Sequence, residues 1–253
     1  MNAPDKERIA KRIAASGLCS RRDAEWLIGE GRVKLNGKTL TTPATLVGDD
    51  DVITVDGKRI SAPSTLPRLW LYHKPKGLLT THHDPDGRPT VFEYLPKHLP
   101  RVISIGRLDL NTEGLLLLTT SGELSRAMEL PKNAMERTYR VRVDGTLMDG
   151  PVNLLGHGVT IEGVQYKPAI IERDAHNSAA RNQWLTMTLT EGKNREVRKL
   201  LEYVDLKVSR LIRTAYGPFE LGDMKPESIK PVADAQVKAL CQKLGVAYGA
   251  KKR

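Results

Sequence analysis

The sequence predicts an α+β protein in two parts, a small helix-helix-strand-strand unit followed by a larger strand-rich domain. Residues 6 to 31 carry apolar side chains at helical spacing, whereas most later apolar segments alternate or run continuously, as strands do. Between the two patterns lies Ser61-Ala62-Pro63-Ser64-Thr65-Leu66-Pro67, small and proline-punctuated, the composition of a linker. With 253 residues, 40% of them apolar, the chain can hold one large domain, or a medium one with a small one beside it. The linker favours the second arrangement. The boundaries expected are 1–62 for the small unit, 63–67 for the linker, 68–235 for the large domain and 236–253 for a last helix and a basic tail.

In the small unit, Ile9, Ile13 and Ala14 give a first helix its apolar face and Gly17 ends it. Ser20 and Asp23 have the spacing of a capping box for a second helix, whose Ala24, Leu27 and Ile28 face inward. Val33-Lys34-Leu35 and Lys38-Thr39-Leu40 flank Asn36-Gly37, a hairpin signal, and Asp51 to Val55 adds a strand before the turn Asp56-Gly57.

The net charge of +10 fits a polyanionic partner held by phosphate neutralisation and counterion release, although an anionic membrane surface would answer the same charge. Residues 1 to 65 hold 11 basic and 9 acidic side chains, so most of the excess belongs to the large part. No 18-residue apolar run and no basic-then-apolar leader opens the chain, and a soluble cytoplasmic protein is expected. Cys19 and Cys241 stand far apart and suggest neither a disulfide framework nor a zinc site; two small reduced core residues are expected instead. The six histidines form no ligand pattern with cysteines or carboxylates and no glycine-rich nucleotide loop is present, so no metal or cofactor is implied.

The large part opens with a strand, Leu69 to Tyr72, and a donor-rich turn, His73-Lys74-Pro75-Lys76-Gly77, then a polar loop from Asp84 to Val91. Its organising stretch is Gly106-Arg107-Leu108-Asp109-Leu110-Asn111-Thr112-Glu113-Gly114, followed by four leucines and Thr119. The leucine run is a buried strand or short helix that would set its polar neighbours at a cleft edge. Asp109 is thus either a turn residue, a surface ion-pair partner, or a nucleophile or base. Gly122 to Glu129 reads as a helix. Thr138 to Val143 alternates, placing Tyr139, Val141 and Val143 on one face and Arg140 and Arg142 on the other; Tyr139 either packs in the core or points into a cleft. Residues 145 to 188 read as short strands and glycine turns. Thr186 to Thr190 is a strand, and the turn Glu191-Gly192 leads into a helix with Arg195, Arg198 and Lys199 near its start, where cations oppose the helix dipole and call for a carboxylate or phosphate nearby. Val208 to Gly217 is a strand and residues 234 to 244 a final helix, before the tail Lys251-Lys252-Arg253.

The stretch from Gly106 to Thr119 resembles the signature of the RsuA/RluB group of ribosomal-RNA pseudouridine synthases, in which the Asp is the catalytic residue. It departs at Ser121, where the group usually has Asp. Lys74-Pro75-Lys76-Gly77 and the Gly87-Arg88-Pro89-Thr90-Val91 loop are similar to that group too, the loop most of all to its branch acting on large-subunit (23S) RNA. Arg137-Thr138-Tyr139 resembles its Lys-x-Tyr motif, with Arg137 in place of lysine, and the segment from Glu191 to Leu201 resembles its third motif. Ser20 to Lys38 is similar to the S-four RNA-binding module.

The resemblance implies a mostly antiparallel mixed sheet with a central cleft, and an isomerisation that moves the ribose bond of a uridine from ring nitrogen to carbon five. The target base must leave its stack to be reached. By resemblance Arg107 fills the space it leaves, Asp109 acts as nucleophile or base, Arg198 pairs with Asp109, Tyr139 stacks on the uracil and Leu200 floors the pocket. Lys74, Lys193 and Arg195 are expected to touch substrate, and Arg8, Lys11, Arg12, Arg21, Arg22 and Lys34 to reach RNA from the small unit. The implied partner is ribosomal RNA or an assembling subunit, met by a monomer, with no membrane involved. Alternatives are a small-subunit or transfer-RNA target, a non-catalytic assembly factor, whose mark would be loss of Asp109, Tyr139 or Arg198, and a glycosidase pairing Asp109 with Glu113.

Overall fold

The computed structural model describes residues 6–61, 66–174 and 182–249. The tail Lys251-Lys252-Arg253 and the middle of the predicted linker lie outside the described residues. In the small unit, helices α1 (Ile9–Ala15) and α2 (Arg21–Gly29) close over one core of Ile9, Ile13, Ala24, Ile28, Val33, Val47, Ile53 and Val55. The Ser20 hydroxyl accepts the Asp23 N–H and the Asp23 carboxylate accepts the Ser20 N–H, both at 3.1 Å, so the capping box is formed. Strands β1 (Val33–Leu35), β2 (Lys38–Thr39), β3 (Ile53–Val55) and β4 (Lys58–Arg59) make a sheet in the order β2-β1-β3-β4. Asn36 and Gly37, with φ of 50° and 82°, turn the hairpin through the left-handed region, the reason Asn-Gly is favoured there. Glu7–Arg8, expected at the head of the first helix, instead pairs as a short strand with Leu46–Val47.

The large part is built on one sheet. Its strands are β5 (Leu69–Lys74), β6 (Ile103–Ile105), β7 (Glu113–Thr119), β8 (Arg137–Asp144), β9 (Ile170–Arg173), β10 (Asn182–Leu189), β11 (Lys207–Tyr216) and β12 (Ile229–Pro231). The order is β9-β10-β8-β11-β7-β5-β12, with β6 on β7 and a short Phe219–Glu220 strand on β11. Among the described residues every pairing in it is antiparallel except β7 with β11, where Ile212 lies opposite Glu113 and Arg213 opposite Gly114.

That central position explains the run of leucines. Leu115 and Leu117 pack on one face with helices α3 (Gly122–Glu129) and α6 (Asp234–Leu244), while Leu116 and Leu118 pack on the other with Trp70, Tyr72, Val91 and Leu108. A strand covered on both faces needs no polar alternation. On the other half of the sheet, helices α4 (Asp149–Gly156) and α5 (Glu196–Glu202) cover Val141, Val143, Leu185, Met187 and Leu211.

Two details correct the sequence reading, and a third accounts for the departure at Ser121. Helix α4 lies where only strands and turns were expected, because Gly150, Pro151 and Gly156 look like turn residues although proline fits a helix's first turn. Arg195 is not inside α5 but caps it, in left-handed conformation at φ 52°. Ser121 caps α3, its hydroxyl accepting the Leu124 N–H at 3.2 Å, so serine serves where the resembled group carries Asp.

Candidate active site

A cleft of about 710 Å³ opens where the two halves of the sheet meet, lined among others by Arg107, Asp109, Tyr139, Lys193, Arg195 and Arg198. The carboxylate of Asp109 stands at its edge on the loop between β6 and β7.

The backbone of that loop is held at five successive carbonyls. Leu108 O accepts the Thr80 hydroxyl at 2.9 Å, Asp109 O accepts Lys74 Nζ at 3.2 Å and the Thr112 N–H at 3.0 Å, and Leu110 O accepts the Gly77 N–H at 2.9 Å. Asn111 O accepts Arg198 Nη2 at 3.0 Å, and Thr112 O accepts Lys74 Nζ at 3.0 Å. Ahead of them Gly106 N–H donates to Glu129 Oε1 at 2.9 Å, a carboxylate that also accepts the Ser125 hydroxyl. Leu108, 5% exposed, pins the loop to the core. Fixing the backbone sets the point from which the Asp109 side chain enters the cleft.

Lys74 is fully buried and spends its protons on the carbonyls of Pro75, Asp109 and Thr112. Burial pulls its ammonium down to about 8, with Asp109 and Glu113 opposing. It was expected to touch substrate; it holds the loop instead, because a solvent-free ammonium must find its acceptors within the protein.

Arg198 also differs from expectation. Its guanidinium donates to Asn111 O and Val208 O rather than to the Asp109 carboxylate, and its buried Nε has no hydrogen-bond partner. Burial and then Arg195 push it below the ordinary guanidinium value, Asp109 opposing. Among the described residues, the cation in ion-pair range of Asp109 is Arg195, with Nη1 3.9 Å from Oδ2. Asp109 is 37% exposed, a carboxylate at the water's edge. The carboxylates called for near the start of α5 are present: Asp109 faces Arg195, and Glu191 pairs with Lys193.

Tyr139 is half-buried and joins both halves of the core while lining the cleft. A β-bulge falls beside it: Thr138 pairs with Ala215 but Tyr139 with Arg213, leaving Thr214 extra. Bulges re-aim side chains, and this one falls where Tyr139 passes from the core to the cleft. Leu200 does not floor the cleft. It is 1% exposed in the core beneath α5, and Leu189, Val197 and Leu211 are the apolar side chains that line the cleft there.

Comparison with known proteins decides the family. An RNA pseudouridylate synthase model matches residues 68–203 and an S4 domain model residues 7–53. A protein of Rickettsia felis named as an uncharacterized RNA pseudouridine synthase is 50% identical over 226 residues, covering 89% of this chain and 96% of that protein. The chain belongs to the RNA pseudouridine synthase family. The ribosomal large subunit pseudouridine synthase B of Pseudomonas aeruginosa is 38% identical over 250 residues, covering 97% of this chain and 64% of its own; that of Yersinia pestis is 42% identical over 221 residues, covering 85% and 69%. A crystal structure of a pseudouridylate synthase shares the fold, with a TM-score of 0.65 at 24% identity over 92% of this chain and 99% of that one.

Several cleft residues of this synthase escaped sequence reasoning. Arg213 is 2% exposed, donates to Leu115 O at 2.8 Å, and with Arg137 flanks the Tyr216 ring at 5.0 and 4.7 Å. Its signal was an arginine in phase with the inward-facing Leu211. Glu191 and Glu196 are buried beside the cleft. In the S4 module Arg8, Arg21, Arg22 and Lys34 are exposed. Arg12, expected to join them, is 13% exposed and paired with Glu7 and Asp49, and Lys11 is paired with Glu7 at 2.9 Å.

Proposed function

We propose that this synthase isomerises a specific uridine of large-subunit ribosomal RNA, working in the cytoplasm as a monomer on the RNA or on the assembling subunit. The observation that supports the reaction is Asp109 at the cleft edge on a loop whose backbone is held at five carbonyls, with Tyr139 and Arg107 lining the same cleft. The large-subunit target rests on the relatives named for it. Asp109 acts on the ribose of a uridine turned out of its stack, as nucleophile at the sugar or as base on a ribose proton; either route breaks the bond from the ribose to the ring nitrogen and lets carbon five take that bond and give up its proton. Tyr139 offers the loosened ring an apolar face, Arg107 takes the place the base vacated, and Arg195 balances the Asp109 charge. Arg198 acts one step back, through the Asn111 carbonyl.

Glu113 counts against the glycosidase alternative. Burial would raise its carboxyl, yet Arg210, bonding both oxygens at 3.0 Å, and Lys76 at 3.3 Å hold it below the usual carboxylate range. A glycosidase's second carboxyl must carry a proton to the leaving group, the reverse of what these cations favour.

The decisive experiment maps pseudouridine across ribosomal RNA from cells with and without the gene, using an adduct that stops reverse transcription. One large-subunit site lost, and restored by wild type but not by Asp109→Asn, is expected. That variant should still bind RNA while losing product formation by roughly 10²-fold or more, the scale of a lost acid–base group. Near-normal turnover would remove Asp109 from its role, and no lost site in either subunit would redirect the search to transfer RNA.

A further inference from the structure

The wall of the cleft that carries Lys193 and Arg195 is thin. Glu191 and Lys193 line both the cleft and a second cavity of about 390 Å³ behind it, bounded by His157, Tyr166 and Lys167. What stiffens it is a pair of buried carboxyls, Glu191 at 8% exposure and Glu196 at 4%. Glu191 Oε1 accepts the Lys167 N–H at 2.9 Å, and its other oxygen pairs with the Lys193 ammonium, which lies 5.3 Å from the Tyr166 ring. Glu196 Oε2 accepts the Lys193 N–H at 2.8 Å, closing the turn ahead of α5. Glu196 Oε1 is fully enclosed and has no donor, although the two carboxyl groups lie within hydrogen-bond reach of each other. Two ionised carboxylates in such contact would repel in a solvent-poor site, and a buried oxygen would go unsatisfied. A single proton removes both difficulties.

We propose that Glu196 is a positioning residue, held as a neutral acid whose Oε1–H donates to Glu191, and that this shared proton clasps the Lys193–Arg195 turn against the cleft. The proposal rests on Arg195 and Asp109 forming the reacting site. The charged and titratable groups facing Glu196 are Glu191 and Lys193. Burial first, then Glu191, push Glu196 up to about 7, while Glu191 is held low by Lys193 and the Lys167 N–H against its own burial. The neutral acid is therefore Glu196.

Glu196→Gln keeps a donor at the same place and removes the titration. The folded Glu196 keeps its proton between the ordinary carboxyl value of 4.5 and about 7, where the unfolded chain does not. Wild type should then lose thermal stability relative to Glu196→Gln as pH rises through that window, with no further divergence above it. In parallel, kcat/KM on RNA should fall roughly tenfold further in wild type than in Glu196→Gln from pH 6.5 to 8, as the neutral form becomes a minority, both sharing the shallow loss that comes from the Lys74 ammonium at about 8. Glu196→Ala, unable to bond either neighbour, should be low throughout. Should Glu196→Gln fail to fold, Glu191→Gln tests the pair from its other side, the stability midpoint moving down toward 4.5.

A stability difference that ignores pH overturns the shared proton. A stability difference of the expected form with parallel kcat/KM profiles overturns the positioning role. Asp109→Asn in the same assay separates this from the site reading: an active Asp109→Asn refutes the site, whereas an inactive one beside parallel profiles refutes only the clasp.

Discussion

Lys74 and Leu200 illustrate how a side chain's surroundings outweigh its type. Both fall within the span matched by the family model, and each was expected to meet substrate; one is fully buried and the other 1% exposed. Replacing Lys74 by Met leaves carbonyls of the Asp109 loop without donors, so kcat should fall about 10- to 100-fold, the cost of a catalytic group displaced by an ångström, while RNA affinity is little changed. Single-turnover kinetics beside a filter-binding curve would separate the two, and weakened binding at unchanged kcat would return Lys74 to substrate contact. Leu200→Ala should cost about 2–4 kcal/mol in denaturant unfolding through the cavity it leaves, with turnover near normal well below the melting transition. A stable but inactive variant would instead make Leu200 part of the pocket.

At the scale of elements, the parallel pairing of β7 with β11 sets the site. A Cβ at Gly114 would lie 2.3 Å from the Arg213 carbonyl oxygen and 2.7 Å from its nitrogen, and φ there is +104°, so only glycine allows the two backbones to meet. This approach brings the Asp109 loop beside Tyr139, whose strand pairs with β11 on its other edge. Gly114→Ala should cost about 3 kcal/mol or more from clash and backbone strain together, measurable as a lowered urea midpoint at unchanged m-value. A neutral effect would mean that the strands part easily. Much at this scale was legible in sequence: the capping box at Ser20, the Asn36-Gly37 hairpin, and helices at 122–129 and 234–244 all rest on local chemistry. Helix α4 and the Tyr139 bulge were not, since the first hides among turn-forming residues and the second depends on a neighbouring strand's register.

Across the whole molecule, charge and architecture divide the work. The S4 module has its own core and sheet, and leaves Arg8, Arg21, Arg22 and Lys34 exposed. Removing residues 1–62 should weaken RNA binding and flatten its dependence on salt, by about one unit of log–log slope for each phosphate that is no longer neutralised. Titrations over a range of salt concentrations, with circular dichroism to verify that residues 66–253 remain folded, would read this directly. An unchanged slope would make the module something other than an RNA anchor.

The sequence by itself determined the α+β class, most elements and the family, because caps, turns and apolar periodicity act within a few residues and the motif around Asp109 is contiguous. It also marked Asp109, Tyr139, Arg195 and Arg198 as neighbours of one chemistry. Only the tertiary structure decided which of them touch. That Arg195 rather than Arg198 faces Asp109, that Lys74 turns inward, and that the turn carrying Glu191 and Glu196 is buried against Lys167 all depend on segments tens of residues apart packing into one low-dielectric space, where an unpaired charge or polar atom is costly and each must settle on the partner that geometry allows.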